Sequence, residues 1–328
     1  MTKFMEIGSA SKPSGRPLVS VAIAFYNQEA FVAETLDSII QQDYRPIQIV
    51  CSDDASTDRT PDILKEFSSR YNFINILINK ENLGITGNFN KALQGCDGEL
   101  IALTGGDDLM LPGKITSQVD FLHANLEVSI CCTNAEVFDS DTGRVMGVHN
   151  DPSTNPPIFG DGGQLIKGNA LLSSSMMFRK KCMPRGGFNA RIPIASDWLF
   201  MIEVALAGKI GYLDRIFTKY RRHQGNITRK IDTSLEEEFE TLRIIKEKYP
   251  EQFDAVKIGE AYALSRVAQQ FERAGEFRTA AKKMKEALSM GIPKNLYSVL
   301  YSIDPRIVQS VRKIKNILIG KPPHWSHQ

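Results

Sequence analysis

The sequence lacks any run of eighteen apolar residues, which excludes a membrane-spanning helix. Its first residues lack the apolar core of a secretory signal. It also lacks an excess of either charge, with 40 basic and 38 acidic residues for a formal +2. That balance excludes a general polyanion binder and points to no nucleic acid partner. Cysteines are few: Cys51, Cys96, Cys131, Cys132 and Cys182. Their number is odd, their spacing fits no zinc or redox motif, and most sit in or beside apolar segments, as reduced core thiols of an intracellular protein do. Neither a Gly-x-Gly-x-x-Gly nor a phosphate-loop pattern occurs, so dinucleotide-binding and P-loop readings fall away. These absences together predict a cytoplasmic protein.

What is present is an ordinary globular composition, 42% apolar and 24% charged over 328 residues, enough for one large domain or two smaller ones. Residues 1–16 read as a loose tail rich in Ser, Lys, Gly and Pro. An alternation follows. Val19–Phe25, Ile47–Cys51, Ile74–Ile78 and Glu99–Leu103 are short apolar runs of strand type. Between them, residues 29–42, a segment carrying Ile63, Leu64 and Phe67, and residues 86–94 have helical spacing. Strands alternating with helices predict parallel βαβ units in an open α/β sheet covered on both faces. Beyond it the pattern is mixed: a helix from Pro112 to His123, a strand at Val128–Cys132, a hairpin about Asp141-Thr142-Gly143, and a helix at Asp197–Ala207 closed by Gly208. From about residue 232 the chain reads as helical. Phe271, Gly275, Ala280, Ala287 and Pro293 fall near tetratricopeptide-like offsets.

In such sheets ligands bind beyond the carboxyl ends of the strands. The residues there are Tyr26 and Asn27, Asp53 and Asp54, and, in Leu103 to Pro112 (LTGGDDLMLP), Asp107 and Asp108. Two adjacent carboxylates at a strand end repel each other unless a cation or ligand sits with them.

Six motifs in order now carry a resemblance. They are Val19 to Asn27 (VSVAIAFYN), Ser52 to Asp58 (SDDASTD), Asn82-Leu83-Gly84, Gly105-Gly106-Asp107-Asp108, Ser196-Asp197-Trp198 and Tyr220-Arg221-Arg222-His223. Together they resemble the family 2 glycosyltransferases of the GT-A fold, over roughly residues 17–226. The resemblance implies a GT-A catalytic domain at 17–230, with a nucleotide-binding half (17–110) and an acceptor half (111–230), then a helical C-terminal region at 231–328. It implies an inverting transferase that moves a sugar from a nucleotide-sugar donor, taken as UDP-linked, to a hydroxyl of a saccharide or lipid-linked acceptor. Relatives of this shape often build cell-surface polysaccharide.

The resemblance also assigns roles. Asp54 reads the base and Tyr26 stacks near it, with Asn27, Glu29 and Asp53 in the same half. Ala24 stands where the family often has Pro or Thr. Asn82 and Gly84 lie by the nucleotide, Asn88 or Lys91 reach toward the diphosphate, and Asp107 completes the set. The leaving diphosphate needs a divalent cation, and oxygen ligands suit Mn²⁺ or Mg²⁺. Candidate ligands are Asp107, Asp108 and His223, with the choice between the two acids left open. The family's Asp-x-Asp is shortened here, since Gly105 holds its first position. Arg221 or Arg222 would face phosphate. Asp197 is the expected general base, because an acceptor hydroxyl must lose its proton as it attacks.

Two alternatives stand beside this reading: a nucleotidyltransferase, and a degenerate nucleotide-binding or scaffold module that the missing first Asp would favour. Loops at 150–175 and 183–195 would choose donor sugar and acceptor. Arg306–Ile319, with apolar residues set against Arg312, Lys313 and Lys315, would suit a peripheral contact with an anionic membrane.

Overall fold

A computed structural model describes residues 15–152, 155–168, 171–226, 231–291 and 296–307. Two compact units divide the chain: the first ends at Asn226, and the second begins at Ile227 and takes in the short insert Ile166–Gly168.

The first unit is built on a mixed sheet. Its leading half is parallel, with β1 (Val19–Phe25), β2 (Ile47–Asp53), β3 (Ile74–Ile78) and β4 (Leu100–Gly105) in the order β3-β2-β1-β4. The helices α1 (Val32–Ile40), α2 (Thr60–Arg70) and α3 (Gly84–Gln94) are the crossovers. A two-residue β5 (Leu109–Met110) and α4 (Lys114–Ala124) come next, followed by β6 (Val128–Asp139), β7 (Val145–Val148) and β8 (Gly160–Asp161). β9 (Met177–Arg179), α5 (Ser196–Leu206) and β10 (Lys209–Arg222) complete the unit. The antiparallel β9 bridges β4 to β6, and β10 runs parallel to β6.

Alternate residues of β1 face one side: Val19, Val21, Ile23 and Phe25 pack with Val32, Leu36 and Ile39 of α1 in one apolar cluster. Central β2 is buried along its whole length, as expected of a parallel strand covered on both faces. Each fully buried Val, Leu or Ile contributes about 1.5–3 kcal/mol. Register fixes the site. Phe25 lies opposite Asp53, Asp53 opposite Ile78, and Ala24 opposite Gly105. Four strand ends are therefore level, and the polar residues after them share one edge.

The sequence pattern and the structure part company in two places. The strand expected at Val128–Cys132 continues to Asp139 and forms the hairpin's first arm. Residues 209–222, which carry no clear period, form a fourteen-residue strand. Its register against β6 shifts three times, so charged and apolar side chains do not alternate cleanly. Four of the five cysteines are buried, and Cys182 is half-buried.

The second unit has α6 (Ile231–Lys248), α7 (Phe253–Arg273), α8 (Phe277–Met290) and α9 (Leu296–Ile303). Small residues Ala261, Ala268, Ala280 and Ala287 let α7 and α8 approach closely around Met284 and Tyr301. Gly275, at φ +80°, makes the turn between them. Pro293 of the tetratricopeptide-like pattern lies outside the described residues, as do residues 308–319 of the membrane-contact segment. Among the described residues no helix is long and apolar enough to cross a membrane.

Candidate functional site

The loop after β4 is packed from every side. A side chain at Gly106 would strike Gln28 Oε1 at 2.1 Å and the Phe25 ring at 2.5 Å, and a Cβ at Gly105 would meet Asp107 Oδ1 at 2.8 Å. A side chain at position 105 would thus require the Asp107 carboxylate to move aside. Asp108 turns inward and is 2% exposed. Its Oδ2 accepts the Ser174 hydroxyl at 2.5 Å, and its Oδ1 accepts the Arg221 backbone N–H at 3.0 Å. Burial and the neighbouring Asp107 charge push its carboxyl well above the ordinary range, against the pull of those two donors. Below it, fully buried Lys114 donates to the Ser174 carbonyl at 3.0 Å.

Asp107 faces outward. Its Oδ2 meets His223 Nε2 at 2.9 Å and the Asn226 side-chain amide at 3.4 Å. His223 Nδ1 accepts the Gly225 N–H at 3.1 Å, so in the neutral ring the proton sits on Nε2 and is donated to Asp107. Arg221 locks the loop from behind. Its Nε donates to the Asp107 carbonyl at 2.7 Å and its fork reaches Glu34 at 2.5 Å, with the guanidinium 4.9 Å from the Phe31 ring centre and 4.8 Å from that of Phe138. Arg221 is therefore spent on the loop and does not face phosphate.

Asp54 is recessed just beyond the end of β2, 3% exposed. Its Oδ1 accepts the Leu83 N–H at 2.7 Å and the Asn79 amide at 3.1 Å, and nothing among the described residues bonds Oδ2. Asn79 also donates to Asn88 Oδ1, and Asn88 in turn donates to the Phe25 carbonyl at 3.1 Å. Tyr26 lies exposed just after β1, and Leu83, just before α3, is exposed as well. Ala24 is half-buried between Ser52 and Gly105.

Several sequence assignments take other positions. Asp53 is sealed from solvent and turns its Oδ2 to the Ser56 N–H, so it does not open on the recess. Asn88, 2% exposed, is fixed in the network under Asp54 rather than turned to a diphosphate. Asn27, at φ +49°, accepts the Thr57 N–H, and Glu29 accepts that of Arg59. Both hold the β2–α2 loop in shape. Lys91 lies in the last turn of α3, about 10 Å along the helix from Gly84, so the fold does not bring it to the strand ends. Asn82 and Gly84 are exposed at the start of α3. Open space surrounds Gly84, whose φ of +74° is the reason for glycine.

Asp197 stands in the first turn of α5, half-buried, with one oxygen accepting the Trp198 N–H. Its neighbour Ser196 bonds Thr86 of α3 at 2.7 Å, which brings α5's amino end to the same sheet edge as the Asp54 recess. Residues 20–205 match the family described as Glycosyl transferase family 2.

The chain belongs to glycosyl transferase family 2.

Other comparisons agree with that membership. An uncharacterized glycosyltransferase of Haemophilus influenzae is 30% identical over 239 residues, 70% of this chain and 72% of that protein. An uncharacterized protein of Mycobacterium tuberculosis is 29% identical over 68% of this chain, and the match spans 64% of that relative's length. Among solved structures, S. aureus TarS 1-349 in complex with UDP-GlcNAc superposes with TM-score 0.62 at 18% identity, covering 94% of this chain and 93% of that one. Mannosyltransferase PcManGT from Pyrobaculum calidifontis, in complex with GDP-Man and Mn²⁺, gives TM-score 0.62 at 18% identity, covering 95% and 84%. These likenesses establish the GT-A fold.

A divalent cation of the kind this family implies can be tested against the donor set. Among the described residues no three His, Cys, Asp or Glu side chains converge as a closed metal cage. Asp108 has both oxygens engaged, and the protonated Nε2 of His223 offers no lone pair. Asp107, with Oδ1 accepting no hydrogen bond among the described residues, is the acid of the pair with an oxygen to spare. The set fits an ion that takes the rest of its ligands from phosphate and water. Sequence reasoning missed Asn79, Ser174 and Glu34. Asn79 alone carried a signal, as the polar residue directly after the β3 apolar run.

Proposed function

We propose that the protein is a glycosyltransferase that transfers a sugar from a UDP-linked donor to an acceptor hydroxyl with inversion at the anomeric carbon. The observation that supports this reading is that Asp54 and Asp107 follow the level ends of β2 and β4, with the amino end of α5, which bears Asp197, tied by Ser196 to Thr86 of α3. Asp54 supports a uracil base. With Oδ1 already taken twice, one oxygen remains, which matches the single N3–H of uracil better than the paired N1–H and N2–H of guanine. Exposed Tyr26 supplies a ring for stacking.

Asp107 would hold Mn²⁺ or Mg²⁺, which when bound offsets the charge of the departing diphosphate. Asp108, Ser174 and Arg221 keep Asp107 turned outward. His223 Nε2–H is a donor beside the same charge. Asp197 takes the proton of the acceptor hydroxyl as its oxygen bonds to the anomeric carbon and the bond to the diphosphate oxygen breaks. A positioned base of this kind contributes about 10²–10⁴-fold. The acceptor class consistent with the family is a hydroxyl of a saccharide or lipid-linked saccharide, as in polysaccharide assembly. Family membership displaces the nucleotidyltransferase alternative.

The test is calorimetric titration of UDP and GDP, with and without Mn²⁺, into the wild type and Asp107→Ala. UDP should bind, more tightly with Mn²⁺, and Asp107→Ala should lose the Mn²⁺ effect while keeping metal-free binding. GDP binding more tightly than UDP would overturn the base assignment. No binding of either nucleotide would overturn the site.

A further inference from the structure

Helix α3 has two polar faces with separate contacts. One carries Asn88 into the network beneath Asp54. The other carries Thr86, Phe89 and Asn90, spaced i, i+3 and i+4, which therefore lie side by side. All three meet the segment that leads into Asp197. Thr86, 6% exposed, donates its hydroxyl to the Ile192 carbonyl at 2.7 Å. With that proton committed, Ser196, 1% exposed, donates to Thr86 Oγ1 at 2.7 Å. Asn90 clamps one residue from both sides, its amide donating to the Phe188 carbonyl at 2.9 Å and its oxygen accepting the Phe188 N–H at 2.7 Å. Phe188 is wedged between rings of both helices: 5.4 Å from Phe89 and stacked at 4.4 Å on Phe200. Gly187, at φ +76°, is needed for this approach, since a Cβ there would lie 2.3 Å from Asn90 Oδ1.

We propose that Thr86, supported by Phe89 and Asn90, is the positioning residue that sets Asp197 against the bound donor. The inference rests on Asp197 being the general base. Ser196 is one residue from Asp197, and the Thr86 hydroxyl is the group that joins it to the helix bracing the base recess. The Asp197 carboxylate is thereby referred to the same helix that fixes the nucleotide. Removing the hydroxyl lets α5's amino end shift while leaving Asp54, Asp107 and their partners as they were. A displacement near 1 Å at a catalytic group costs up to about a hundredfold in rate.

The experiment compares wild type, Thr86→Val, Thr86→Ser and Asp197→Asn. UDP release is measured from UDP-GlcNAc, UDP-glucose and UDP-galactose, with water as acceptor, and UDP binding with Mn²⁺ is measured by calorimetry. Thr86→Val should lower kcat about tenfold to a hundredfold, with donor KM and UDP affinity within twofold of wild type. Thr86→Ser, which keeps the hydroxyl, should restore kcat. Amide hydrogen exchange, which needs no turnover, should rise in Thr86→Val across residues 186–197 and stay unchanged across 47–60. Wild-type kcat in Thr86→Val, equal loss of UDP affinity, failure of Thr86→Ser to rescue, or unchanged exchange at 186–197 would each overturn the positioning role. Asp197→Asn turning over at the wild-type rate would instead overturn the base assignment, a distinct outcome.

Discussion

Lys114 offers a prediction whose sign is fixed by burial. Its side chain is fully enclosed, and burial pulls its ammonium down from 10.5 to about 8 against the opposing pull of Cys132, Cys131 and Asp108. Replacing it in Lys114→Met removes the titrating group and nearly preserves volume. The absolute change at neutral pH mixes opposing effects, because a buried charge is relieved while the Ser174 carbonyl loses a donor. The pH slope isolates the ammonium. Between about 8 and 10.5 the unfolded chain holds the proton and the folded chain does not, so stability from this group rises with pH and is lost as pH falls through the folded value. At about 1.4 kcal/mol per pH unit the effect totals about 3 kcal/mol. The assay is urea unfolding of wild type and Lys114→Met at pH 7, 8, 9 and 10, in a Trp325→Phe background so that Trp198 alone reports on the first unit. Wild type should gain on the variant across that range, mostly between pH 8 and 10. A flat difference, or one that falls with pH, would refute the assignment of a depressed, sealed ammonium.

Three further outcomes are expected. Asp54→Asn should weaken UDP binding about tenfold to a hundredfold by calorimetry. Leu83 and Asn79 donate at Oδ1, so the amide must turn its NH₂ toward the base and set donor against donor. Arg221→Lys should cost about 2 kcal/mol in urea unfolding through loss of the fork and the double ring contact, and should reduce the Mn²⁺ effect on UDP binding. Ala55, held at φ +57°, pays roughly 1–2 kcal/mol for a left-handed backbone. Ala55→Gly relieves that strain and returns about 0.4–1 kcal/mol to unfolded-chain entropy, so thermal unfolding should show a net gain of about 0.5–1 kcal/mol; a loss would refute it.

The leading parallel half of the sheet was legible because its strands are short apolar runs bounded by turns, and the parallel rule then sends every following polar residue to one edge. That rule places Tyr26 and Asn27, Asp53 and Asp54, and Asp107 and Asp108 at the strand ends, and does not choose within the pairs. Which neighbours each side chain spends itself on was not legible. Asn88 and Lys91 look equivalent on a helix that is polar on several sides, yet one is buried under Asp54 and the other stands two turns away. Ser174 and Arg221 reach Asp108 from 66 and 113 positions downstream, and no local pattern announces such partners. Strand β10 escaped because its register slips against β6 and erase the two-residue period on which strand reading depends.

That late strand also sets an order of assembly on the ribosome. The Asp54 recess draws on residues up to Asn88, all made early, whereas the loop holding Asp107 and Asp108 is secured by Ser174, then by Arg221 and His223, the last of them 116 positions beyond Asp107. Until β10 has been synthesised, Asp108 has only its Ser174 partner and Asp107 lacks those from Arg221 and His223. A nascent chain halted after α5 would hold Asp54 in its network and leave Asp107 without its partners from β10 and beyond. On the function proposed above, competence for the donor would therefore arrive near the end of the first unit's synthesis, when β10 closes on the loop.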